Sequence, residues 1–295
     1  MAQYKISGDI IKISYQYSDK FDILIDIRKK GGNNLMDFYE FFLFPKGKRL
    51  WELEINDLTH IQTTDTDWHG PFVVRALENE EGDDLVTKKF TGGNHEYTNT
   101  GKGGVANAKT TYLEFFVDGK KVGDSFGEAE NIEIRWSNDV KAYNTQRADG
   151  GGRYVLSENH ILRFDGFEFT SDFEVIPLED VEMVVWFGLQ SLAPRNIYKT
   201  IQYVGSEDES EHPIEELTSC KNKNVWKAVA KGDGHRFEME IDPTVDLGDR
   251  HMYDGDKVIF NSEWSKIYFN VISEKRLLKG KSYRLRGKYR FLYDL

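Results

Sequence analysis

The sequence predicts an all-β fold: a large antiparallel β-sandwich of the jelly-roll or supersandwich kind, with little helix. Three observations carry that expectation. Apolar and polar residues alternate with period two along the chain, which marks strands with one face in a core and one in water. Asp-Gly pairs stand between apolar runs, where they supply the positive φ angles of tight hairpin turns. No long segment shows the i, i+3, i+4 spacing of an amphipathic helix.

The alternation begins with Phe21, Ile23, Ile25 and Ile27, interleaved with Asp22, Leu24 and Asp26. Trp51, Leu53 and Ile55 alternate with Glu52 and Glu54 in the same way. Asp118-Gly119 separates TYLEFFV from KKV as a hairpin, and Asp165-Gly166 separates HILRF from FEF. Ile132, Ile134 and Trp136 form another alternating run, and Val184 to Phe187 reads as a strand buried on both faces. Phe237, Met239 and Ile241, then Ile267, Phe269 and Val271, complete the series. In the last strand Tyr283, Leu285, Tyr289, Phe291 and Tyr293 face one way, and Arg284, Arg286, Lys288 and Arg290 the other. The charged face suits an edge strand guarded against aggregation, a basic groove, or a complement to the acidic remainder of the protein. About fifteen such strands cannot lie in one open sheet, so two packed sheets are expected.

Composition agrees. The 295 residues include 26 Gly, 15 Tyr, 19 Phe and 6 Trp but only 6 Pro, a mixture suited to pleated surfaces and tight turns. The length admits two domains or one large β domain over residues 1–295, which is the reading preferred here. The candidate loop or boundary is residues 205–216, where Glu207, Asp208, Glu209, Glu211, Glu215 and Glu216 collect. That segment reads as a solvated loop. The sharper alternative is a calcium site, although the acids lack the spacing and turn glycine of an EF-hand.

The net charge of −11 argues against a nucleic-acid partner, which would need a broadly basic surface. No apolar run approaches a membrane span, so no membrane partner is expected. The N-terminus lacks the apolar core of a signal peptide, which points to a cytoplasmic or virion protein. The single cysteine, Cys220, excludes an internal disulfide framework and a cysteine-based zinc site. Phosphate-binding loops, nucleophile elbows and H-E-x-x-H are all missing, so no cofactor is expected.

Chemistry-capable side chains gather between positions 65 and 190. They occur in the stretches Asp65 to Phe72, Gly92 to Tyr97, Asn138 to Arg147, Glu158 to His160, and Phe187 to Gln190. These types suit a polysaccharide lyase. Such an enzyme neutralises a uronate carboxylate with an amide or cation, removes the adjacent weakly acidic proton, and protonates the leaving oxygen. Asn94, His95, Tyr143 and His160 are the candidate catalytic residues. Trp68, His69, Tyr97, Asn144, Arg147, Arg153 and Gln190 are the candidate substrate contacts. The plain alternatives are core packing for Trp68 and the tyrosines, turn hydrogen bonds for the histidines, and solvation for the arginines. A metal held by His69, His95, His160 and an acid has no short-range ligand spacing to support it.

The stretches DWHGPFVVRALENEEGD, FTGGNHEYTNTGKGG, VKAYNTQRADGGGR and LEDVEMVVWFGLQ resemble large β proteins found among phage tail and prophage structural proteins. The resemblance implies binding or degradation of a surface polysaccharide or oligosaccharide, hence a phage-associated depolymerase. A non-catalytic, carbohydrate-binding tail protein that forms a homo-oligomer is the first alternative. The Asn-His-x-Tyr and His-Gly-Pro-Phe elements are similar to those of aldose-epimerase-like supersandwich proteins. That similarity implies, as the second alternative, an enzyme acting on monosaccharides.

Overall fold

A computed structural model describes residues 1–63, 66–83, 88–99, 103–248 and 252–294. It is an all-β sandwich built from antiparallel sheets. One layer is a ten-stranded sheet. Its spatial order is Lys120–Val122, Ala108–Val117, Asn131–Gln146, Gly152–Asp165, Glu168–Pro177, Tyr283–Tyr293, His235–Ile241, Lys227–Gly232, Thr200–Val204 and His212–Pro213. Two smaller sheets lie against its inner face. The first runs Ser125–Ala129, Ala2–Ser7, Ile10–Gln16, Phe21–Lys30, Leu35–Pro45 and Thr59–Thr63. The second runs Ser219–Cys220, Ile259–Asn261, Lys266–Leu277, Val181–Leu192 and Phe72–Ala76. A separate ribbon pairs Tyr97–Asn99 with Gly103–Val105.

The strand Tyr283–Tyr293 shows how one inner face serves both smaller sheets. Phe291 meets Phe41 of the first sheet with ring centres 4.7 Å apart. Leu285 and Gly287 lie under Gly188 and Leu189 of the second. A single continuous apolar cluster therefore draws on all three sheets. Glycine is required at the closest approach. A Cβ on Gly287 would sit 2.4 Å from a Leu189 methyl, and one on Gly188 would sit 2.4 Å from a Leu285 methyl. Gly287→Ala is expected to overpack this contact and cost about 1–3 kcal/mol, read as a lower urea midpoint at unchanged slope.

The hairpins form as their sequences dictate. Asp118 (φ 47°) and Gly119 (φ 76°) are the two central residues between Val117 and Lys120, the type I′ pattern. At the second hairpin Asp165 pairs with Glu168, so the turn is Gly166-Phe167, with glycine alone at positive φ. Trp51-Leu53-Ile55 is a correction. The segment forms two 3-10 turns, Leu50–Glu52 and Ile55–Asp57. Leu50 is the residue buried there, against Leu24 and Phe44, while Ile55 is 84% exposed. Alternation of glutamate with apolar residues did not find a partner strand.

The basic C-terminal strand is also corrected. It is central, flanked by Glu168–Pro177 and His235–Ile241, and its cations meet the acids of those neighbours. Arg286 donates to Asp172 at 2.7 Å, and Arg290 to Glu168 at 2.6 Å and to Glu238 and Glu240 at 2.9 Å each. The strand complements the acidic remainder of the chain. The segment 205–216 follows Thr200–Val204 and contains the edge strand His212–Pro213. There Glu211 pairs with Lys231, and Asp208 accepts from the Ser210 backbone at 2.9 Å.

Candidate functional site

A small, largely buried polar cavity lies where the first small sheet meets the long sheet. Three structural sources converge on it. The ends of Phe21–Lys30 and Leu35–Pro45 bring Lys30 and Asp37. The strands Asn131–Gln146 and Gly152–Asp165 bring Trp136, Asn138, Glu158 and His160. The connection after Thr59–Thr63 brings Asp67 and His69, and Gly93 and Asn94 close the roof. Pairing of Trp136 with His160, and of Asn138 with Glu158, sets four of these side chains on one face of the sheet. The cavity measures about 10 Å³ to the centre of a water-sized sphere, room for about one water molecule.

One half of the cluster is fully committed. Asp37 accepts from the backbone N–H of Phe38 and of Trp68 at 2.9 Å each. Its Oδ1 lies 3.1 Å from His69 Nδ1 and its Oδ2 lies 3.4 Å from Lys30 Nζ. A carboxylate only accepts, so His69 carries its proton on Nδ1 and its Nε2 accepts from the Ser171 hydroxyl at 2.9 Å. Lys30 also donates to the carbonyls of Phe38 and Thr66, at 2.7 Å each. Burial works against the Asp37 carboxylate, yet Lys30 and His69 outweigh it and hold its pKa below the ordinary value. Burial likewise takes His69 below its ordinary value, despite Asp37.

The other half is not committed. The His160 ring stacks flat on Trp136, with centres 4.6 Å apart, and lies edge-on to His69 at 5.7 Å. Its Nε2 is 3.3 Å from a Glu158 oxygen, but neither ring nitrogen makes a hydrogen bond. Asn138 donates to the other Glu158 oxygen at 2.7 Å, and its own carbonyl oxygen is unpartnered. Buried polar atoms nearly always find partners, so the three open atoms gathered here, two on His160 and one on Asn138, make this cavity the candidate site.

The roof is held by glycines and amides. Asn33 donates to the Gly93 carbonyl and to Asn107 at 3.0 Å each, and Asn94 N–H donates to Asp67 at 2.6 Å. A Cβ on Gly31 would fall 2.1 Å from the Asn94 side-chain oxygen, so the 31–34 turn and the 92–96 loop fit only with glycine there. His95 stands on the outer side of Asp67, with Nε2 3.3 Å from its carboxylate and the side chain 46% exposed.

Of the expected catalytic residues, Asn94 and His160 line the cavity and His95 touches it through Asp67. Tyr143 does not line it. Burial raises the Tyr143 pKa, with Arg75 opposing and Glu182 reinforcing. Several expected substrate contacts are structural. Trp68 is buried in an aromatic cluster with Phe38, Phe41 and Tyr289, so no sugar ring can reach its face. His69 has both nitrogens occupied. Asn144 brackets the Ala76 backbone, accepting its N–H at 2.8 Å and donating to its carbonyl at 3.0 Å. Gln190 donates to the Gly70 carbonyl. Arg153 joins Glu179 at 3.1 Å and Asp83 at 2.8 Å, and Arg147 donates to the Glu81 carbonyl at 3.0 Å. Tyr97 lies in the small ribbon opposite Val105. Asp65 lies outside the described residues, as do residues 100–102 of the glycine-rich loop.

Lys30, Asp37 and Ser171 were not singled out from sequence. Asp37 left a signal, a lone acid inside Leu35-Met36-Asp37-Phe38. Among the described residues no group of three or more His, Cys, Asp or Glu is arranged to hold a metal.

No family model matches the chain, and no curated protein matches it. Among solved structures, galactose 1-epimerase from Lactobacillus acidophilus NCFM is similar at 8% identity with a TM-score of 0.38, over 99% of this chain and 98% of that one.

Proposed function

We propose that the protein is a carbohydrate-active enzyme that moves protons on a neutral monosaccharide, interconverting its anomers as aldose epimerases do. The observation that carries this reading is the His160–Glu158 pair, two groups able to exchange protons side by side in a largely buried cavity, with neither imidazole nitrogen hydrogen-bonded. Anomer exchange needs one group to take the proton of the anomeric hydroxyl and another to give a proton to the ring oxygen. The ring C–O bond then breaks, the aldehyde end rotates, and the reverse steps close the ring. Glu158 is suited to the first role and His160 to the second, with Asn138 orienting Glu158.

Charge separates this reading from uronate cleavage. Asp37, Asp67 and Glu158 face a single lysine, Lys30, among the cavity residues, and that lysine is already engaged. An anionic sugar would be repelled. The arginines and the tyrosine that a lyase would use, Arg147, Arg153 and Tyr143, are not among the lining residues. With room for about one water in the closed form, entry of a sugar requires the 92–96 loop to lift from the 31–34 turn.

The test is optical rotation after dissolving pure α-anomers of neutral aldoses with and without the protein. Faster decay to the equilibrium rotation for at least one aldose is expected. Decay at the uncatalysed rate across galactose, glucose, mannose and their 2-deoxy and N-acetyl forms would overturn the reading.

A further inference from the structure

No hydrogen bond aims the His160 ring. An imidazole that moves protons is ordinarily oriented by a hydrogen bond at its other nitrogen. His69 shows that arrangement, with Asp37 at Nδ1 and Ser171 at Nε2. Neither nitrogen of His160 has such a partner, and Glu158 comes within 3.3 Å of Nε2 without forming the bond. The Cβ–Cγ torsion of histidine is intrinsically broad, so it does not fix the ring either.

Ring packing does what the hydrogen bonds do not. Trp136 and His160 stand directly opposite each other on the neighbouring strands Asn131–Gln146 and Gly152–Asp165. Their ring centres are 4.6 Å apart and their planes differ by 3°. Adjacent strands are spaced about 4.7–4.9 Å, so two flat side chains rising from one cross-strand pair meet face to face. The indole is fixed in its turn. Leu113 of Ala108–Val117 pairs with Trp136 from the opposite flank, and Trp136 is buried. Phe173 and His69 meet the imidazole at steep angles, 66° at 5.0 Å and 69° at 5.7 Å. Of these three rings, Trp136 is the coplanar one. Turning His160 about Cβ–Cγ would press the ring edge into an indole that has no room to retreat.

We infer that Trp136 is a positioning residue, whose indole face replaces a hydrogen bond in aiming the unspent nitrogens of His160 at a bound sugar. The inference rests on the proton-transfer role proposed for His160 above. Holding the ring by stacking has a chemical consequence. Asp37 fixes the tautomer of His69 by accepting its Nδ1 proton. A stack fixes the plane of the ring and leaves the tautomer free. His160 can therefore give a proton from one nitrogen and regain one at either, without turning.

Two substitutions separate aim from bulk. Trp136→Phe keeps a flat face opposite His160, and Trp136→Leu removes it. Both shrink the side chain, so a residue that only fills space would lose stability in both and leave activity per folded molecule unchanged. The first readout is the order parameter of the His160 ring C–H bonds from ¹³C relaxation, measured without sugar. Values of about 0.85 are expected in the wild-type protein and in Trp136→Phe, falling below about 0.6 in Trp136→Leu, while His69 stays rigid in all three. The second readout is the polarimetric rate on an aldose that the wild-type protein turns over. Trp136→Leu is expected to lower kcat by about ten- to a hundredfold at unchanged KM, and Trp136→Phe to stay within about threefold of wild type. If Trp136→Leu does not fold, Trp136→Met gives the same comparison with a flexible chain in place of the ring. A His160 ring as rigid without the indole as with it, or an equal kcat per folded molecule, would overturn the inference. A wild-type protein inactive on every aldose would overturn the proposed function instead, and ring relaxation would still decide whether Trp136 holds His160.

Discussion

Replacing His160 by glutamine is expected to slow anomer interconversion by about a hundred- to ten-thousand-fold, the usual worth of a positioned acid or base. His160 stacks on Trp136 and lies near Glu158, yet it spends neither nitrogen on the fold. Glutamine keeps a polar side chain of similar reach but cannot exchange a proton. Stability should therefore change little, while kcat falls. Rate constants from polarimetry, measured beside thermal unfolding of the same sample, separate the two effects. A His160→Gln protein with full activity would show that the imidazole is packing material.

Asp37→Ala is expected to have the opposite signature, a loss of about 3–5 kcal/mol in stability. The substitution strands a buried ammonium on Lys30 and removes the acceptor of three N–H groups, those of Phe38, Trp68 and His69. The pH dependence follows from two shifts of the same sense. The Asp37 pKa is lowered from 3.8 in the folded state, so its stabilisation is present above 3.8 and is lost as pH falls through the folded value. The His69 pKa is lowered from 6.5, so the unfolded chain takes up a proton there first, and stability declines as pH drops below 6.5. Urea unfolding at stepped pH should show a decline that begins below neutrality and steepens at the carboxylate range. Asp37→Ala should shrink the acidic limb and leave the part carried by other carboxylates with lowered pKa values, such as Glu168 and Glu238. A cost below about 1 kcal/mol would mean that Lys30 finds other partners or leaves the core.

Much of the fold was legible because strand periodicity is local. Ile132-Ile134-Trp136 and Phe237-Met239-Ile241 face the core as their alternation requires. Trp51-Leu53-Ile55 has the same pattern and no strand to pair with, which only tertiary context decides. The setting of the basic strand was hidden for the same reason. Whether Arg286 and Arg290 meet solvent or acids depends on which strands flank them, and those lie more than a hundred residues apart from the arginines in the case of Asp172 and Glu168.

The site was legible by residue type and not by convergence. His160 and Asn94 were chosen for their chemistry, and the cavity contains both. Asn144, Gln190 and Arg153 were chosen on the same grounds, and the fold uses each to satisfy backbone or charge. Asp37 and Ser171 reach His69 across separations of 32 and 102 residues, which no local spacing reveals.

The measurement that bears most directly on the cavity is a long-range ¹H–¹⁵N NMR spectrum of the imidazoles, recorded during titration with a neutral aldose. His160→Gln assigns the His160 signals. The account predicts that these signals shift with sugar while those of His69, held by Asp37 and Ser171, stay in place. His160 resonances that do not move at saturating sugar, for any aldose that the protein binds, would contradict it.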